Sequence, residues 1–400
     1  MKTSSCPDCG PVPVNHFAER FSVIVNQFIE TYLKPFGYIR KSLAPVFHSF
    51  DLERLGLSSI KILVKIRVIK ILHNPHVLDS SRTRTLWEAA KKRGIKMYKL
   101  GLFGRPTELT VAELNGKSRV FMSLPRLKGP ASESFQWMDN KAIMKERFRS
   151  AQIPVALGRV ARSKKQAIEI FSSLSKPVIV KPILGSRGRH TTIQVTSQSE
   201  LLTAFNKAKQ LSPWVIVEQQ LSGFVFRPTV IDGKVVAVAR KEPAHVVGNG
   251  SSTVLELVNQ ENKNPLRQGP IFHHLVIDSA VEQELKRQNL TLMSIPALGQ
   301  FVVLGQKTGR GSGGSITDVT DIVHSDNVRL FEKVAQVLGD PLVGIDFIIQ
   351  DIARPWHEQP LSGVIECNSL PFIDVHHYPL FGQPRDAAGA LWELIFPLEG

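Results

Sequence analysis

Apolar positions along the chain change their period from segment to segment. Over residues 60–72, IKILVKIRVIKIL, Ile60, Ile62, Val64, Ile66 and Val68 fall on even positions, and Lys61, Lys65 and Arg67 on odd ones. Period 2 with β-branched residues predicts a strand with one basic face, because a helical wheel would scatter the basic side chains. Arg82–Gly94 reads as a helix and Lys96–Leu102 as a second strand, so residues 51–130 are expected to form a small basic α/β domain. Residues 17–50 read as short helices broken at Pro35 and Pro45. Further helices are predicted over 139–150, with Asp139 as N-cap, and over 163–174, 198–210 and 326–338. Short apolar strands are predicted at 177–182, 214–218, 342–350 and 361–367. Asp232-Gly233 between two alternating runs, 224–231 and 234–240, is a hairpin signal. Short strands mixed with helices place the chain in the α+β class rather than on one parallel sheet.

Three of these strands carry groups that an apolar strand does not easily hold. Lys181 sits in VIVKP, Asp346 in GIDFI, and Glu366 and Asn368 in GVIECNSLPF. A buried charge is costly unless it is paired or bound. Residues i and i+2 of a strand share a face roughly 7 Å apart, which puts Glu366 and Asn368 together and Cys367 opposite. Two carboxylates and an amide oxygen are the donors magnesium prefers, with phosphate and water completing its shell. The alternative is that the acids pair with buried Lys or Arg; residue type alone leaves the two equal. Three residues past Pro182 comes Gly185-Ser186-Arg187-Gly188-Arg189-His190, a plausible phosphate cradle that matches neither the Walker nor the dinucleotide pattern.

Composition adds little until it is divided along the chain. Apolar residues at 42% and charged residues at 21% are those of an ordinary globular protein. The net charge of +15 is not evenly spread: residues 1–130 hold 22 Lys and Arg against 9 Asp and Glu, the rest 28 against 26. Such a basic region suits an acidic substrate, nucleic acid or an anionic surface, or serves solubility alone. Residues 51–130 show no paired aromatic platform, so a nucleic-acid role is not expected. No uninterrupted apolar run approaches the about 18 residues of a membrane span, and the N-terminus lacks a signal-type apolar core. The cytoplasm is the expected location. Of three cysteines, Cys6 and Cys9 form a CxxC pair with His16 nearby, either half of a zinc site or part of a flexible tail. His273-His274 and His376-His377 are read as surface or pocket residues rather than metal ligands.

The order of these parts resembles the ATP-grasp superfamily, and more narrowly the ATP-grasp module of the cyanophycin synthetase family. VIVKPILGSRGRH, VIVEQQLSGFVFRPTVIDGKVVAVARKEPAHVVGNGSSTVLELV, GSGGSITDVTDIVHSDN, LVGIDFII and GVIECNSLPF carry the likeness, over roughly 135–380. It implies two α+β subdomains, 135–215 and 216–395, clamping a nucleotide, preceded by an extension (1–50) and the basic domain (51–130). It implies that Lys141 and Lys181 contact phosphates, that Gly185, Ser186 and Gly188 belong to a mobile loop over them, and that Glu218 and Gln219 form the hinge at the adenine edge. It places Arg227, Lys241 and Ser312 by the reacting phosphate, and Asp346, Glu366 and Asn368 as ligands of Mg²⁺, with Mn²⁺ as the chemical substitute.

The implied activity is an ATP-dependent carboxylate–amine ligase that forms an amide through an acyl phosphate and takes amino acids or short peptides, acidic ones suiting the basic region. The competing expectation is an ATP-binding sensor or interaction protein on the same fold; a transfer to a thiol or alcohol is a second enzymatic one. A homo-oligomer is compatible with the sequence. The chain departs from the pattern at Val225, where relatives carry an acid, and in LGQKTGRGSGG, where Gly309 replaces an asparagine and Lys307 and Arg310 are the nearby substitutes. Phe372 follows Pro371 where relatives have glycine. Cyanophycin synthetase continues into a second ligase domain, whereas this sequence ends at Gly400, so a two-reaction polymerase is not expected.

Overall fold

The computed structural model describes residues 6, 15–32, 62, 64–66, 68–75, 79–102, 105–127, 137–138, 140–183, 189–269, 271–306 and 308–397. The glycine segment 184–188, Cys9, Asp139 and Lys307 lie outside the described residues. Helix α1 (His16–Tyr32) precedes an antiparallel sheet in the order β1 (Ile69–Leu72), β2 (Lys96–Leu102), β3 (Arg105–Leu114) and β4 (Lys117–Met122). Helix α2 (Ser81–Lys92) lies between β1 and β2 in the chain and is capped by the Ser80 side chain. The strand expected over 60–72 is realised only from Ile69. Ile62, Val64 and Lys65 are helical, and Ile66 N–H donates to the Ile62 carbonyl at 3.1 Å. The reason is the partner: β1 pairs with β2 from Leu72–Lys99 to Ile69–Leu102, where β2 ends. Among the described residues, Ile62, Val64, Lys65 and Ile66 lie beyond that edge, and a helical turn satisfies the Ile66 N–H locally.

The second sheet has the order β5-β8-β6-β7, from β5 (Gly158–Ala161), β6 (Val178–Pro182), β7 (Thr192–Val195) and β8 (Val215–Gln219). Helices α3 (Lys141–Ser150), α4 (Lys164–Ser172) and α5 (Gln198–Lys209) belong to the same stretch. Asn140, rather than Asp139, caps α3, accepting from the N–H groups of Ala142 and Ile143. Helix α5 begins with a reciprocal Ser197–Glu200 capping box. Ala167, Ile170 and Phe171 of α4 and Leu201, Ala204 and Phe205 of α5 pack against Val178, Val180, Val215 and Val217.

The third sheet starts with β9 (Phe224–Ile231) and β10 (Lys234–Glu242), which a separate two-stranded sheet, β11 (His245–Val247) with β12 (Phe301–Val303), flanked by α6 (Val254–Glu261) and α7 (Ser279–Arg287), follows in the chain. The third sheet is completed by β13 (Ser315–Asp318), β14 (Leu342–Ile349) and β15 (Gly363–Asn368), in the order β13-β10-β9-β14-β15. The predicted hairpin turn is present, with Asp232 at φ 51° and Gly233 at φ 74°. Helix α8 (Ser325–Leu338) covers one face. Phe331, Val334 and Leu338 meet Val343, Ile345, Phe347 and Ile349, and the Phe331 and Phe347 rings lie 5.2 Å apart. Alternation along β14 therefore sends Gly344 and Asp346 to the opposite face. Cys367 packs in the α8 core, as its position between Glu366 and Asn368 predicted.

One cluster belongs to the first sheet alone, with Ile69, Leu100, Leu109 and Val111 buried together; a second is shared with the rest of the chain. Leu86, Ala89 and Ala90 of α2 and Met97, Ala112 and Phe121 of the sheet share a cluster with Ile231, Leu342, Ile373 and the last helix. Short α9 (Asp374–His377) leads into that helix, α10 (Ala387–Ile395). Trp392 is 1% exposed, donates its indole N–H to the Leu86 carbonyl at 3.0 Å and packs edge-on to Phe121. No helix among the described residues is long and apolar enough to cross a membrane. Trp392→Ala is expected to cost about 3–5 kcal/mol of unfolding free energy in urea, since it empties a core shared by two sheets. Trp392→Phe should cost clearly less; equal effects would mean that the hydrogen bond, not volume, dominates.

Candidate functional site

Buried charge is concentrated on the second and third sheets. In β8, Val215, Ile216, Val217 and Glu218 are all buried, because β5 and β6 flank the strand on both sides. Glu218, 1% exposed, accepts from Lys181 Nζ at 2.7 Å and from the ammonium of Lys145. Burial alone would push the Glu218 carboxyl up, but Lys181 and Lys145 outweigh it and hold it at about 2. Burial pulls Lys145 down to about 8, with Lys181 adding to the effect and Glu218 opposing it. Lys145 is the residue that sequence reasoning missed. Lys141, which was singled out, stands one turn earlier on α3 and is half-buried. The signal was present: Lys145 lies between the core positions Met144 and Phe148.

Immediately after Glu218 the chain crosses to the third sheet. Gln219 N–H donates to the Leu157 carbonyl (2.7 Å), Gln220 N–H to Pro177 (3.0 Å) and Ser222 N–H to Leu361 (3.0 Å). Gly223 has φ +126°, and a Cβ there would lie 2.2 Å from the Ile349 backbone, so only glycine fits the crossing. Glu218 and Gln219 thus stand at the joint between the two sheets.

On the third sheet, Asp346 and Glu366 are cross-strand partners and Asn368 opposes Gly344. Directly opposed residues of an antiparallel pair share a face, with Cβ atoms about 5 Å apart. Asp346 is gripped by Arg227 through two bonds of 2.6 Å, from Nε and Nη2, and Lys241 Nζ lies 3.5 Å away. Gly344 makes the grip possible: a Cβ there would lie 2.7 Å from Pro371 and 3.3 Å from Arg227 Cδ. Burial would raise the Asp346 carboxyl; Arg227 and then Lys241 hold it at about 2. Burial lowers the Lys241 ammonium against the pull of Asp346. Glu366 and Asn368 are partly exposed, while the Asn368 Nδ2 atom is buried without a hydrogen-bond partner.

These three side chains fit a hard divalent cation. All are oxygen donors, two of them carboxylates side by side, and Asp346 Oδ2 keeps a second lone pair beside its bond to Arg227. Asn368 would bind through its Oδ1, since its buried Nδ2 is a donor and cannot ligate a cation. His376 Nε2 meets Thr229 Oγ1 at 2.7 Å while its Nδ1 is buried without a hydrogen-bond partner, and burial, then Arg227, pull the ring down to about 3.

The Ser312-Gly313-Gly314 loop abuts the end of β10. Gly313 has φ +80°, and a Cβ on Gly314 would lie 2.7 Å from the Glu242 carbonyl. Arg267, 2% exposed, holds the loop by donating to the Gly313 carbonyl at 3.0 Å, and its Nε donates to Glu261 at 2.7 Å. Ser312 itself is exposed. Arg310 donates to buried Asp374 at 2.5 Å, and Ser81 of α2 donates to the same carboxylate oxygen. Arg82 stacks 5.0 Å over Phe372 and donates to the Leu370 carbonyl. Neither Arg267 nor Asp374 carried any signal in the sequence, because both act through contacts distant along the chain.

Among known proteins, the chain is 37% identical over 267 residues to cyanophycin synthetase from Nostoc sp., covering 65% of this chain and 29% of that protein. It is 29% identical over 268 residues to the glutathione biosynthesis bifunctional protein GshAB from Clostridium perfringens, covering 65% and 34%. The structure of a bifunctional glutathione synthetase from Pasteurella multocida superposes with a TM-score of 0.60 at 25% identity, over 79% of this chain and 43% of that one. The chain has the ATP-grasp fold, and its likeness is to cyanophycin synthetase-like ligases. No family model matches it. It spans about a third or less of the length of these two curated relatives. The ATP-grasp fold accounts for the joint at Glu218–Gln219, where two α+β units meet.

The charge clusters set an acid limit on stability. Glu218 and Asp346 both have folded values near 2, below their ordinary 4.5 and 3.8. The folded state is the poorer proton binder, so this stabilisation is complete above the ordinary values and is lost as pH falls toward 2. Urea titrations across that window should show stability dropping with pH, and Glu218→Gln should flatten the decline. An unchanged acid limb in the variant would contradict the assignment.

Proposed function

We propose that the chain is an ATP- and Mg²⁺-dependent carboxylate–amine ligase that makes an amide bond through an acyl phosphate and releases ADP and phosphate. The observation that supports it best is the third-sheet face, where Asp346, Glu366 and Asn368 gather oxygen donors beside Arg227 and Lys241. A carboxylate is a poor acylating agent because its leaving group would be oxide. Phosphorylation converts that oxygen into a phosphate, which an amine can displace. Asp346, Glu366 and Asn368 would hold Mg²⁺, which when bound neutralises phosphate oxygens and orients them. Lys145 and Lys181 are suited to bind the phosphates, and Glu218 keeps these two lysines in place. Arg227 and Lys241 offer positive charge where negative charge develops on the transferred group. The reading requires no protein nucleophile: Cys367 lies in the α8 core, where burial raises its thiol well above the ordinary value.

We take the carboxylate and amine substrates to be amino acids or short peptides. An acidic one suits the basic N-terminal region. The divisions at residues 50, 130 and 215 are retained as the proposed domain boundaries. A second reading has support in one observation: both Asp346 oxygens are engaged by Arg227. A sensor that binds ATP without turning it over would look the same.

Phosphate release from ATP and Mg²⁺ with pooled amino acids separates the two readings, with mass spectrometry identifying the product. The ligase reading expects release that depends on the added amino acids. Glu366→Ala should lower turnover on the order of a hundredfold or more, as the loss of one charge-stabilising group does. ATP binding with no release in any pool would favour the sensor, and unchanged turnover in Glu366→Ala would remove the metal assignment.

A further inference from the structure

Apart from the residues of the ATP-grasp site, the fold assembles a second set of ligands. Among the described residues, Cys6, His16 and His190 bring one thiol and two imidazoles together, with their donor atoms all within 4.8 Å of one another. They are not neighbours in sequence: Cys6 and His16 lie at the N-terminus, and His190 just precedes β7. Cys6 Sγ is 3.6 Å from His190 Nε2, and the His16 and His190 rings lie edge to face at 4.9 Å. A tetrahedral zinc ion with ordinary Zn–S and Zn–N bonds would hold sulfur and nitrogen about 3.5 Å apart.

His190 is prepared for this role. Its Nδ1 lies 2.8 Å from the Lys207 carbonyl, which can only accept, so Nδ1 carries the proton. In the neutral ring, Nε2 then keeps its lone pair on the side of Cys6. An imidazole oriented by a carbonyl through its other nitrogen is the usual arrangement behind a metal ligand. The ring is 1% exposed, and the His190 backbone is held at φ +51°, the left-handed region that a residue with a Cβ seldom enters. His16 opens α1, whose Val23 packs on Ile183 and Ile216 of the second sheet.

We infer that Cys6, His16 and His190 form a metal site, zinc by its donors, that fastens the N-terminal helix to the sheet carrying Lys181 and Glu218. One thiolate and two imidazoles select a borderline-soft ion and disfavour magnesium or calcium. Binding converts the Cys6 thiol to a thiolate and releases its proton to solvent, so affinity falls as pH drops. In the sequence, Cys9 stands at CxxC spacing from Cys6; it lies outside the described residues and the assignment does not need it. The site is independent of the proposed ligase activity. It fixes the backbone at His190, two residues past the last glycine of the Gly185–Gly188 segment.

The test is metal analysis of the purified full chain together with cobalt(II) substitution. Roughly one zinc per chain should survive dialysis and leave with a strong chelator. The cobalt form should show tetrahedral ligand-field bands with a thiolate-to-cobalt charge-transfer band, and Cys6→Ser should abolish that band. His16→Ala should weaken zinc binding at least about tenfold in chelator competition. His190 is buried and its replacement could unfold the sheet, so Cys6→Ser and His16→Ala, with folding checked by circular dichroism, carry the test. Zinc bound no more tightly by the native chain than by the double variant, or a cobalt spectrum without the thiolate band, would overturn the site.

Discussion

Arg227 and Asp346 hold each other in a place where neither could remain alone. Both are buried, and a lone charge at that depth would cost several kcal/mol. Two parallel bonds from one guanidinium edge to one carboxylate fix their relative orientation. Much of the third sheet is arranged around that fork. Gly344 leaves it room, β9 and β14 run side by side to bring the two residues together, and α8 takes the apolar side chains of the other face. Glu366 stands beside Asp346 by strand register, so the fork also sets the edge of the proposed cation site.

The second sheet solves the same problem with different parts. Glu218 has two ammonium partners instead of one guanidinium, drawn from a helix and from the adjacent strand. A compact cation on a long flexible stem can leave one anion for another more easily than a bidentate arginine can. The two clusters thus suit different tasks, Arg227 as a fixed charge and Lys145 and Lys181 as movable ones. Their contrast follows from side-chain shape, whatever the substrate proves to be.

Much of this architecture was legible in the sequence because it depends on local pattern. β2 and β9 have the bounds expected of them, and Asp232-Gly233 turns where a two-residue hairpin requires positive φ. Asp346, Glu366 and Asn368 were conspicuous as polar residues on apolar strands. What could not be read depends on contacts made across the chain. The alternation over 60–68 was real, but strand formation needs a free edge, and β2 ends at Leu102 opposite Ile69. Lys145 looked like any helix lysine until Glu218 lay beneath it. His190 was set aside as the end of a glycine segment, since nothing local connects it with Cys6, 184 residues earlier.

The hydrogen bond from Trp392 to Leu86 spans 306 residues of sequence. On the ribosome, Leu86 of α2 emerges 306 residues before Trp392 of the helix that closes its apolar side. At about 5–20 residues per second, that interval is roughly 15–60 s. During it, the Leu86, Met97 and Phe121 side chains have neither Trp392 nor Leu391 to cover them. For that interval the nascent chain carries an unfinished hydrophobic face, a natural docking place for a holding chaperone.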